Sequence, residues 1–247
     1  MSKTRAARGP PGAGVRVHVV VIIPAYNEGA SLPLVLAELP RRRVGTVIVV
    51  DNGSEDDTAA VARRGGARVV REERRGYGRA CLAGLAAAAE LRPEIVAFLD
   101  GDHSDHPEEL PRLLAPIEAG EADLVIGSRV RGRREPGALL PQARAGNLVA
   151  VILIRWLYGF RYTDLGPFRA IRWAALERLR MRDTGFGWTV EMQVRALQEG
   201  LRVREVPVGY RRRVGTSKIT GTLRGTVGAG RGILGTIHRL HREFRRR

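Results

Sequence analysis

Five short apolar runs occupy residues 17–23, 47–50, 67–70, 95–99 and 124–126, and they alternate with segments of helical spacing at 32–39, 57–64, 78–91 and 107–119. Strands that alternate with helices of this length pair in parallel through crossover connections. The pattern therefore predicts an α/β fold with a Rossmann-like, mostly parallel sheet flanked by helices. Four of the five runs end in polar clusters: Pro24 to Glu28, Asp51 to Ser54, Asp100 to Asp102, and Gly127 to Arg129. In open sheets of this kind, ligands bind beyond the carboxyl ends of the strands.

The second half is less regular. Residues 132–141 read as a Gly/Pro/Arg loop, 142–158 and 188–199 as helices, 164–171 as a turn and strand leading into a helix to about 178, and 203–208 as a strand. There is no internal repeat. Ser31 is placed to cap the first helix, and Pro24 to stop the first strand's ladder.

Asp100 and Asp102 flank one glycine directly after a buried run. Two carboxylates so placed can converge on magnesium or manganese, which take oxygen ligands and sit between carboxylates and substrate phosphates. A solvated turn is the competing reading of the pattern by itself. Asp51 also ends a strand and can accept from a ribose hydroxyl or a base N–H, while an Asx-turn explains its neighbours Ser54 and Asp56 equally well. Tyr26 offers a face for a base, and Glu28 an acceptor for a ribose or base edge. Gly76 and Gly78 open a helix, where backbone can approach an anion. Arg129, Arg212 and Lys218 are candidate phosphate partners. Cys81 lies in an Ala-rich helical stretch and reads as a core residue.

The chain of 247 residues, 44% hydrophobic, suits one domain with a sizeable core. Its formal charge is +16, and residues 201–247 hold 13 basic against 2 acidic side chains, a net +11. Such a block reads as a solvated, anionic-membrane or nucleic-acid surface. Nucleic acid is disfavoured, because aromatics are only 5% and no stacking cluster accompanies the arginines. The longest apolar stretch, residues 148–154, falls short of the ~20 residues a span requires. Residues 1–14 are polar and Pro/Gly-rich and read as a disordered leader. One cysteine and no secretory h-region suit a cytoplasmic setting.

In order along residues 18–218 stand PAYNE, DNGSEDDT, RGYGRACLAG, DGDHSDHPEEL, DLVIGSR, DLGPFRAI, GFGWTVEM and RRVGTSK. Together these segments resemble the family 2 glycosyltransferases with the GT-A fold, and among them the dolichol- and polyprenyl-phosphate mannose or glucose synthases. The resemblance implies a catalytic domain over 15–218 and a basic extension over 219–247, a candidate membrane-surface helix. It implies inverting transfer of a hexose from a nucleoside diphosphate sugar, with Pro24, Tyr26, Glu28 and Asp51 at the nucleoside. Asp100 and Asp102 would hold ribose, diphosphate and a divalent cation (Mg2+ or Mn2+), and Arg129, Arg212 and Lys218 the donor or acceptor phosphates. Two departures stand out. Asn52 takes a place where the family often has aspartate, and Ser104 one where it often has glutamine, which leaves water, His103 or Asp105 to complete the metal shell.

A hydroxyl acceptor needs a general base, for which Asp164 and Glu191 are the candidates. A phosphate monoester, with a second pKa of about 6, does not. A lipid-phosphate acceptor at the inner face of the membrane, met by the 148–158 stretch and the tail through Arg245, Arg246 and Arg247, is the expected chemistry. The alternatives are a soluble hydroxyl acceptor in the same family and a non-enzymatic nucleic-acid-binding protein.

Overall fold

The computed structural model describes residues 17–215 and 223–246. Residues 1–14, Lys218 and Arg247 thus lie outside the described residues. Seven strands form one sheet: β1 (Val19–Ala25), β2 (Thr46–Asp51), β3 (Arg68–Arg71), β4 (Ile95–Phe98), β5 (Leu124–Ser128), β6 (Arg169–Arg172) and β7 (Val203–Pro207), in the order β3-β2-β1-β4-β6-β5-β7. All neighbours are parallel except β6, which runs antiparallel between β4 and β5. The order reverses between β1 and β4, the switch point at which such sheets open a ligand crevice.

Strand β1 shows why the sheet has two covered faces. Val20 and Ile22 belong to one core, Val19, Val21 and Ile23 to the other, as the period of two requires. Helices α1 (Leu32–Glu38), α2 (Thr58–Arg64) and α4 (Leu110–Glu118, entered through a 3-10 turn at Pro107–Glu109) cover the second core. Helices α3 (Tyr77–Ala89), α5 (Pro141–Tyr158), α6 (Trp173–Leu179), α7 (Trp188–Gln198) and α8 (Leu223–Phe244) cover the first. Cys81 is buried there, as its surroundings predict. The basic tail is not merely appended. Ile237 and Leu240 of α8 are buried in the same core as α5 and α7.

Two local expectations differ. β1 runs one residue past Pro24, to Ala25, paired with Asp51. Pro24 lacks a donor, but β2 needs only a register partner there, and the Ala25 carbonyl accepts from Asn52 N at 2.8 Å. Ser31 makes no side-chain cap on α1. Its hydroxyl instead donates to Glu28 Oε2 at 2.8 Å, so it serves the strand-end loop.

Helix α5 has an unusual surface. Leu148, Ile152 and Trp156 are 58%, 57% and 80% exposed, and Val149 beside them is also exposed. Spacings of four and eight place them on one side of the helix. Among the described residues no helix is long and apolar enough to cross a membrane.

Candidate active site

The loops after β1, β2 and β4 meet above the switch point. Asn27 and His103 both take left-handed backbone (φ 51° and 62°), conformations that tight functional loops hold at a cost. Glu28 is nearly buried. Its amide donates to Thr58 Oγ1 at 2.8 Å, and its carboxylate accepts from Ser31 and from Arg213 Nη2 at 3.2 Å.

Asp51 accepts from Ser54 N at 2.8 Å at the strand end where a nucleoside would approach, and the Asx-turn is made by Asp56, whose Oδ1 accepts from Thr58 N at 3.0 Å. Asn52 does more than its place in the sequence suggests. Its Nδ2 donates to the carbonyls of Glu72 (2.9 Å) and Arg74 (2.8 Å), and its Oδ1 accepts from Gly76 N (2.9 Å). An aspartate has no donor for two carbonyls, which accounts for an amide at this position. The ring of Tyr26, expected to offer a face to a base, carries the Arg75 guanidinium 3.4 Å from its centroid, a cation–π contact. Arg75 is itself paired with Glu55 at 3.2 Å.

The amides of Gly76 and Gly78 are spent within the protein. Gly76 donates to Asn52, and Gly78 to the carbonyl of Gly185 at 3.2 Å. A Cβ at Gly78 would overlap the Asp183 carbonyl, and one at Gly76 that of Thr184. These glycines are thus required by backbone-to-backbone packing against residues 183–185.

Three aspartates gather after β4. Asp102 is buried and accepts from Ser104 N (3.0 Å) and Ser104 Oγ (2.6 Å), while its Oδ2 lies 3.3 Å from Arg213 Nη1. Ser104 therefore orients Asp102. Asp100 accepts from the Tyr77 hydroxyl at 3.1 Å. Burial and the neighbouring carboxylates of Asp102 and Asp105 push Asp100 well above the usual carboxylate range. Asp105, pushed up to about 7 by burial and by Asp102, points Oδ2 at the Asp100 amide and leaves Oδ1 without a partner. His103 turns away, to Glu38 Oε1 at 3.0 Å.

Among the described residues no three His, Cys, Asp or Glu side chains converge as a metal shell by themselves. Asp100 and Asp102 nevertheless fit a divalent cation whose remaining ligands would come from donor phosphate and water. The carboxylates repel one another, the neighbouring Asp105 Oδ1 is buried and unpaired, and Arg213 already supplies positive charge to Asp102.

Arg213 was not singled out by sequence. Past β7 the side chains of residues 211–213 alternate in direction. Arg211 and Arg213 face the crevice, Arg211 reaching Glu38 and the carbonyls of His103 and Asp105. Arg212 points the other way, its amide donating to Glu135 and its Nε to the Pro136 carbonyl, both at 2.8 Å. The signal available in the sequence was the period of two through 211–213.

Arg129 and Asp164, assigned to different tasks by sequence, hold each other. Asp164 is fully buried and accepts from Arg129 Nε (2.8 Å), Nη2 (2.7 Å) and N (2.8 Å). Burial raises the Asp164 carboxyl, but the Arg129 charge and hydrogen bonds outweigh it and hold it below the usual range. Asn147 and Glu205 tie down the backbone around it. Glu191 is likewise fully buried, paired with Arg195 at 2.9 Å and accepting from the amides of Arg182 and Asp183. Beside Thr163 a cavity of about 370 Å³ is lined by Val130, Arg134, Leu139, Arg144 and Leu148, the last on the exposed face of α5.

Comparison with known proteins agrees with this architecture. The family model described as Glycosyl transferase family 2 matches residues 20–180. An uncharacterized glycosyltransferase of Mycobacterium tuberculosis is 42% identical over 212 residues, covering 85% of this chain and 93% of its own. An undecaprenyl-phosphate mannosyltransferase of Micrococcus luteus is 35% identical, covering 85% and 90%. Among solved structures, glucosyl-3-phosphoglycerate synthase from Mycobacterium tuberculosis in complex with Mn2+, uridine diphosphate and glucosyl-3-phosphoglycerate superposes with a TM-score of 0.72 at 25% identity, covering 91% of this chain and 80% of that one.

Proposed function

The chain belongs to glycosyl transferase family 2, and from that premise we propose that it moves a hexose from a nucleoside diphosphate sugar to a polyprenyl phosphate at the cytoplasmic face of the membrane. The observation that carries the acceptor choice is the state of the two base candidates. Asp164 is neutralised by Arg129, and Glu191 is sealed against Arg195 and two backbone amides. A hydroxyl acceptor would find neither able to take its proton, whereas a phosphate acceptor arrives already deprotonated. The Micrococcus luteus relative bears the name of an enzyme of this acceptor class.

In this reading Asp51 and Glu28 hold the nucleoside, with Tyr26 and Arg75 against the base. A divalent cation at Asp100 and Asp102, when bound, neutralises charge that develops on the departing diphosphate. Arg213 adds a second positive group at that place, and Ser104 keeps Asp102 in one orientation. The lipid phosphate enters by the cavity beside Thr163, where Arg134 and Arg144 meet it. The exposed Leu148, Ile152 and Trp156 lie in the bilayer interface. Attack from the side opposite the leaving group inverts the anomeric centre.

The soluble-acceptor alternative has one support, the structural neighbour crystallised with glucosyl-3-phosphoglycerate. The deciding experiment offers the full chain UDP- and GDP-hexoses with Mn2+ or Mg2+, and either short-chain polyprenyl phosphate in liposomes or 3-phosphoglycerate in solution. Labelled sugar is expected in the lipid fraction. Transfer confined to the soluble acceptor overturns the lipid reading.

A further inference from the structure

Asp183 belongs to none of the strand-end clusters, yet it joins two distant parts of the chain. Its Oδ2 accepts from Thr236 Oγ1 of α8 at 2.8 Å and lies 3.6 Å from Arg239 Nη2 of the same helix. Its Oδ1 accepts from Gly185 N at 2.9 Å, and its own amide donates to Glu191 Oε2 at 2.7 Å. A Cβ at Gly187 would overlap both the Asp183 carboxylate and the Thr236 hydroxyl, so α8 docks here against bare backbone.

The other side of this loop touches α3. The carbonyls of Thr184 and Gly185 accept from Arg79 N (3.1 Å) and Gly78 N (3.2 Å). These are first-turn amides with no partner inside their own helix. The residue just before them is Tyr77, whose hydroxyl donates to Asp100.

We propose that Asp183 is a positioning residue for the transferase reaction: by fastening α8 to residues 183–185 it fixes the start of α3 and keeps the Tyr77 hydroxyl on Asp100. The basic C-terminal helix is then a working part of the donor site. Without the Thr236–Asp183 link, the 184 and 185 carbonyls lose their anchorage, the first turn of α3 frays, and Asp100 regains rotamers that do not face the donor. The inference rests on the assignment of Asp100 to donor and metal.

The test uses the full chain, with UDP and GDP, each with Mn2+, titrated calorimetrically. Tyr77→Phe is expected to weaken nucleotide binding about tenfold, the worth of a hydroxyl donated to a carboxylate. Asp183→Asn and Thr236→Val should each weaken it roughly three- to tenfold, Thr236→Ser should restore it, and neither change should add to Tyr77→Phe. Amide exchange at Gly78 and Arg79 should quicken in both Asp183→Asn and Thr236→Val. A purely structural Asp183 would lower the melting temperature and leave Kd within twofold; that result, or a weakening that adds in full to that of Tyr77→Phe, overturns the proposal. Thr236→Val keeps the side-chain shape and serves should Asp183→Asn fail to fold. Wild-type protein that binds neither nucleotide refutes the donor-site reading, and this inference with it.

Discussion

Replacing Arg129 with alanine removes the partner from a carboxylate that has no solvent to turn to. Asp164 is 0% exposed and receives two guanidinium hydrogen bonds at 2.8 and 2.7 Å, so the variant keeps only backbone donors, that of residue 129 at 2.8 Å and that of Leu165. Breaking one side of a buried pair costs about 3–5 kcal/mol. For a chain of this size that is a fall in Tm of roughly 6–20 °C. The cost must also depend on pH. In the wild type the folded carboxyl lies below its ordinary range, so its contribution is present at neutral pH and lost as pH falls through the folded value. In the variant burial is opposed only by the backbone donors of residues 129 and 165, so the folded pKa should rise above the unfolded one and stability increase as pH falls. The difference between variant and wild type should therefore be largest near pH 7.5 and shrink toward pH 5. Urea melts at the two pH values measure it. A loss below about 1 kcal/mol, or one equal at both pH values, would show that Arg129 does not compensate Asp164.

Further outcomes follow from the same geometry. Asp102→Ala should abolish the part of the thermal shift by nucleotide that depends on manganese; an unchanged shift would reject Asp102 as a ligand. Asp105, pushed up to about 7, favours the folded state below its unfolded pKa and loses that contribution as pH rises through 7. Asp105→Asn, melted in EDTA, should thus gain roughly 1–3 kcal/mol on wild type as pH is raised from 5 to 8. Asn52→Asp puts carboxylate oxygen against the carbonyls of Glu72 and Arg74, and should cost about 2–4 kcal/mol in a denaturant melt; a neutral result would mean those contacts are not made. Trp156→Glu should lower flotation with anionic liposomes while the melt stays within about 0.5 kcal/mol, because Trp156 is 80% exposed. Undiminished flotation would move the membrane contact elsewhere.

The alternation of apolar runs with helical segments determined the layered sheet, because burying both faces of a parallel strand demands a contiguous β-branched run followed by a crossover helix. That same rule placed Asp51, Asp100 and Asp102 at strand ends, over the crevice where the sheet order reverses. Local pattern also explains the buried Cys81 and the amphipathic α5. Partnerships across the chain could not be read there. Arg129 with Asp164 spans 35 positions, Asn52 with Gly76 spans 24, and Glu28 with Arg213 spans 185. Each residue taken singly is a charge or an amide with several possible partners. Which partner it meets is decided by where the sheet order puts its strand. Burial then makes that choice costly to undo, since a carboxylate shut away from water must hold on to the cation beside it. Tertiary packing alone thus paired Asp164 with Arg129 and Glu191 with Arg195, and brought the basic tail, through Asp183, to the start of α3.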